Sequence, residues 1–88
     1  MISSEQLQRV AAAIRSGTLS ESLVATLRSE NPGIHFTYCM DDDLPNHEPV
    51  LEDAGFNLYL VDGREHCLRL TSNYEHATGI VIAEVLDD

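Results

Sequence analysis

The chain of 88 residues contains no lysine, and its five arginines face fifteen aspartates and glutamates. Phosphate backbones are bound by displacing counterions with basic side chains, so this balance argues against nucleic acid as a partner. Anionic membranes are excluded on the same ground. No apolar run approaches the roughly 20 residues of a membrane span. The start, "MISSEQLQRV", lacks the basic and apolar regions of a signal peptide, which leads to the expectation of a cytoplasmic protein. Two cysteines in such a chain are expected as reduced thiols. Also missing are GxSxG, a P-loop and GxGxxG, so no motif names a reaction. At this length one domain is expected over residues 1–88, with little room for a deep substrate cavity.

What is present is a net charge of −10, unevenly placed. Residues 1–33 balance three acids against three arginines. "CMDDDLPNHEPVLED", Cys39 to Asp53, holds six carboxylates and no basic residue. An EF-hand is excluded there. With Asp41 at position 1, Pro45 falls where a ligand is needed and Asn46 where a glycine is needed. Six like charges and two prolines predict an irregular, largely exposed acidic loop over 41–55.

The apolar pattern before this stretch has a helical period. Leu7, Val10, Ala11 and Ile14 form one stripe, with Ser3 and Gln6 as a capping box and Ile2 and Leu7 as a staple. Gly17 suits the position after the helix. Thr18 or Ser20 can cap a second helix carrying Leu23, Val24 and Leu27, which "NPG" at 31–33 ends. A DNA-binding helix-turn-helix is disfavoured because the second helix lacks base-reading side chains. From Ile34 the period becomes two. "IHFTYCM", "FNLYLV" and "HCLRLT" alternate, and "IVIAEVL" is apolar throughout. Matching the apolar faces of "FNLYLV" and "HCLRLT" predicts a three-residue hairpin loop at Asp62-Gly63, with Arg69 opposite the helices. "SNYE", Ser72 to Glu75, suggests one helical turn. The expected architecture is α+β, ordered ααββββ. A helical hairpin (1–33) packs on one face of a four-stranded, mainly antiparallel sheet (34–88).

Three kinds of chemistry compete for this scaffold. A metal site could draw on Cys39, Asp41, Asp43, His47 and Glu48, which lie within ten residues, but no CxxC, HxH or HExxH spacing supports it. Thiol catalysis needs a base and a positive field. Three aspartates follow Cys39, and Cys67 has only Arg69 beside it. The third option is contact through the sheet face opposite the helices, where Tyr59, Cys67, Arg69, His35 and Val61 give a composition unusual for a solvated face. The expectation is therefore a non-enzymatic interaction or accessory protein without a cofactor. Its contact would be a protein partner or a second copy on that outer face, with a basic partner or a cation possible at the acidic loop. Metal binding or delivery through Cys39–Glu48 is the alternative.

The blocks "NPGIHFTYCMDDD", "GFNLYLVDG" and "HCLRLTSNYEHATGIVIAEV" resemble a small bacterial family of uncharacterised proteins, over nearly the whole chain. The resemblance implies a bacterial cytosolic accessory protein associated with nitrogen-fixation genes, and it assigns no role to any residue.

Overall fold

The computed structural model describes residues 1–44, 47–64 and 69–86. Helix α1 spans Ser4–Ser16 and begins as its sequence requires. The Gln6 amide donates to Ser3 Oγ at 3.1 Å, and the Ser3 amide donates to Gln6 Oε1 at 2.8 Å. Such a cap contributes about 1 kcal/mol. Ile2, in front of the cap, is buried, and its amide donates to the Tyr74 carbonyl. Gly17 ends α1 in extended backbone at φ −127°, without the left-handed turn that favours glycine. Helix α2 spans Glu21–Glu30, and the cap is Ser20, which accepts from the Leu23 amide at 3.3 Å.

Among the described residues five strands follow: β1 His35–Met40, β2 Leu51–Asp53, β3 Phe56–Asp62, β4 Arg69–Thr71 and β5 Gly79–Glu84. The order is β1-β5-β3-β2, with β4 also on β3. The sheet is thus five-stranded and mixed, where the sequence suggested four strands, mainly antiparallel. Two features account for the difference. β1 runs parallel to β5, with His35 opposite Gly79 and Met40 opposite Glu84. β2 is hidden inside the acidic stretch, because three residues with two carboxylates show no apolar alternation. It pairs Leu51 with Leu58 and Asp53 with Phe56 around Ala54-Gly55. Gly55 has φ +86°, which a glycine adopts without a Cβ penalty.

The β3–β4 register also departs from the expectation. Asp62 pairs with Arg69 and Val61 with Leu70, so the connection is residues 63–68, an even number. Leu70 therefore shares the face of Val61, and Arg69 shares the face of Leu60 and Asp62. An odd loop would follow if only the helix-facing side of the sheet were apolar. Both sides are. Where one helical turn was expected at Ser72 to Glu75, the chain turns at Tyr74 to His76, with the His76 amide on the Asn73 carbonyl and the Ala77 amide on the Tyr74 carbonyl.

The main core lies between the helices and the sheet. Leu7, Val10, Ile14, Val24 and Leu27 meet Phe36, Phe56, Leu58, Leu60, Ile80 and Ile82 there. Each fully buried aliphatic side chain contributes roughly 1.5–3 kcal/mol. Tyr38 reaches Glu84 by a hydrogen bond across β1 and β5 on this side, and Arg15 is ion-paired with Asp53, tying the end of α1 to β2. Glu84 raises the Tyr38 phenol to about 12, with burial adding to the effect. Arg15, through its hydrogen bond, holds the Asp53 carboxyl below its ordinary value.

Candidate functional site

The face opposite the helices carries a second apolar cluster. Tyr59, Val81 and Ala83 are buried, and Cys39, Leu44, Val61 and Leu70 pack against them. β3 and β5 place the first three side by side, because Tyr59 pairs with Val81 and Asn57 with Ala83. The sequence places Tyr59 on an open contact face, yet in the structure it is only 3 % exposed. Its cover comes from the acidic stretch itself. Asp41–Asp43 form a short 3-10 turn at the end of β1, and Leu44 packs onto the cluster.

Two hydrogen bonds hold that turn. Tyr59 Oη donates to Asp41 Oδ1 at 2.8 Å, and Asn57 Nδ2 donates to the same oxygen at 3.0 Å. Burial first, and then the Asp41 carboxylate, push the Tyr59 phenol up to about 12. The stretch is therefore neither wholly irregular nor wholly exposed. Asp41, Leu44, Pro49, Val50, Leu51 and Asp53 are half-buried, while Asp42, Asp43, His47, Glu48 and Glu52 face solvent. Local sequence gave no sign that one aspartate of three would serve as an acceptor for the sheet. Leu44, the lone apolar residue among the acids, was the available signal.

The residues considered for a metal do not converge. Among the described residues no group of three or more His, Cys, Asp and Glu side chains is placed to hold an ion. Asp41 turns toward Tyr59 and Asn57, while His47 and Glu48 are exposed. Cys39 is a free, half-buried thiol. Burial, then Asp43 and Asp41, push it above its ordinary value, which disfavours the thiolate needed for attack or ligation.

Of the expected contact residues, His35 and Val61 do come together. A depression of about 430 Å³ opens where β1 and β5 begin and β3 ends. His35, Thr37 and Val61 line it from the outer face, with Phe36, Gly63, Thr78, Gly79 and Ile80 completing the wall. Thr78 braces one side, its Oγ accepting from the Gly63 amide at 2.9 Å and its amide donating to the Val61 carbonyl at 2.7 Å. Tyr59 is buried within the outer cluster, Arg69 belongs to the other face, and Cys67 lies outside the described residues.

The chain is a member of a family of unknown function, DUF6129, whose model matches residues 5–85. No curated protein and no solved structure matches it. Among the described residues no helix is long and apolar enough to cross a membrane.

Proposed function

We propose that this chain is a non-enzymatic interaction protein, an accessory in the bacterial cytoplasm that docks a partner at the His35–Val61 depression. The observation that carries this reading is the depression itself. Its lining joins Phe36, Val61 and Ile80 to the polar groups of His35, Thr37 and Thr78, the mixed composition of a recognition pocket. The partner it suits presents an aliphatic or aromatic side chain flanked by Lys or Arg. The charge of −10 and the exposed carboxylates of Asp42, Asp43, Glu48 and Glu52 favour such a partner. Asp42 and Asp43 lie past the far end of β1, roughly 20 Å from His35, and Glu52 lies on β2 at the opposite edge of the sheet. They act on the rate of approach rather than on the contact.

Association with nitrogen-fixation genes would supply the setting in which to look. The wild-type chain and a Val61→Arg variant serve as baits in the native host, and the captured protein is then purified and titrated directly. The expected result is binding that weakens at least tenfold in Val61→Arg and associates more slowly as salt rises, with the circular dichroism spectrum unchanged. Equal binding by both chains, or no partner at all, refutes the reading. Metal delivery, the alternative, predicts near-stoichiometric zinc or iron in protein purified without a histidine tag.

A further inference from the structure

The two edges of the sheet are built differently. One is broken into β2 and β4, of three residues each, and carries Glu52, Asp53 and Arg69. Short, charged edge strands are the usual protection against pairing with another chain. The other edge is β1, six residues reading HFTYCM, with no charged side chain, proline, glycine or bulge. Among the described residues it pairs with β5 on one side only. The His35 amide donates toward β5, to the Thr78 carbonyl, whereas the Phe36 carbonyl accepts from Arg28 Nη2 at 3.1 Å on the opposite side. Backbone alternation then directs the N–H and C=O groups of Phe36, Tyr38 and Met40 to the open edge.

We infer that β1 pairs antiparallel with β1 of a second copy of this chain, about a two-fold axis at Tyr38, making one continuous ten-stranded sheet. The occupant is fixed by charge along the strand. Arg28 and His35 stand at its start, and Asp41, Asp42 and Asp43 stand at its end. Antiparallel pairing brings each acidic turn to the basic end of the other copy. With Tyr38 opposite Tyr38, His35 falls opposite Asp41 of the second copy. The same register sets Phe36 opposite Met40 on the helix side and Thr37 opposite Cys39 on the outer side, so side chains of like polarity meet. The two acidic turns stay roughly 20 Å apart, beyond the screening length of about 8–10 Å, so the high negative charge does not oppose the contact there. Edge-to-edge contact buries little surface, and the dimer is expected to be of the weak class. This pairing does not depend on the His35–Val61 depression binding anything, and Val61→Arg should leave it intact.

Register gives the test. Thr37 and Cys39 of the second copy form a non-hydrogen-bonded pair, with Cα atoms about 4.5–5.5 Å apart, within disulfide reach. Thr37→Cys in a Cys67→Ser background should therefore give, on mild oxidation, a covalent dimer whose peptide map shows the 37–39 link between chains. Met40→Pro blunts the same edge. Its backbone φ of −89° lies near the proline range, and its amide points away from β5. Light scattering should show a dimer for wild type and at least tenfold weaker association for Met40→Pro. A wild-type chain that stays monomeric up to about 1 mM overturns the inference. So does a dimer that Met40→Pro leaves unchanged, or oxidation that yields no 37–39 link. If Met40→Pro does not fold, the disulfide map alone decides.

Discussion

Asp41→Ala removes the acceptor on which Tyr59 and Asn57 converge, and with it the tie that holds Leu44 over the second apolar cluster. A hydrogen bond to a charged group contributes about 1.5–3 kcal/mol when buried. Asp41 is only half-buried, and water partly replaces it, so about 1 kcal/mol per bond is the fitting figure and about 2 kcal/mol the expected total. For a domain of this size that lowers Tm by about 8–16 °C. Tyr59→Phe keeps the buried ring and loses one bond, for about 1 kcal/mol and half the shift in Tm. Asp42→Asn and Asp43→Asn, at exposed positions in the same turn, should stay within about 0.5 kcal/mol of wild type. At low salt they should be slightly stabilising, because self-repulsion falls. The assay is thermal and urea unfolding followed by circular dichroism at one low micromolar concentration for all variants. A double-mutant cycle of Asp41→Ala with Tyr59→Phe should return a coupling of about 1 kcal/mol. If Asp41→Ala is no more destabilising than Asp42→Asn, the turn is not held as described.

Two further outcomes follow from the same geometry. Tyr38 and Tyr59 titrate near 12 when folded, against an ordinary value of 10.0, so the folded state keeps protons that the unfolded chain releases. Their contribution to stability is fully present below pH 10 and is lost as pH rises toward about 12. Urea midpoints should fall across that window, less steeply in Tyr38→Phe and Tyr59→Phe, and a flat profile would contradict the assigned environments. Gly79→Ala places a Cβ 2.8 Å from the His35 carbonyl oxygen and 3.1 Å from His35 Cβ, so β1 must shift away from β5. The expected cost is about 1–3 kcal/mol by urea unfolding, and an unchanged midpoint would mean that β1 does not pair there.

The sequence by itself determined the helical hairpin, because its signals are local. A capping box three residues wide, an apolar stripe repeating within four and an arginine in the last turn are complete within α1. It also determined the alternating strands β1 and β3 and the acidity of the segment between them. The mixed sheet could be decided only in three dimensions. Whether β1 joins β5 in parallel or β3 antiparallel is a choice among long-range pairings that leave the same alternation in the chain. The fate of the outer face was hidden for a related reason. Alternation tells which side chains share a face, but not that Leu44 returns to cover it. Nor does it tell that Asp41, identical in type to its two neighbours, is the aspartate that meets Tyr59. That assignment rests on the position of the turn relative to β3, sixteen to eighteen residues away in sequence, and only the folded chain sets it.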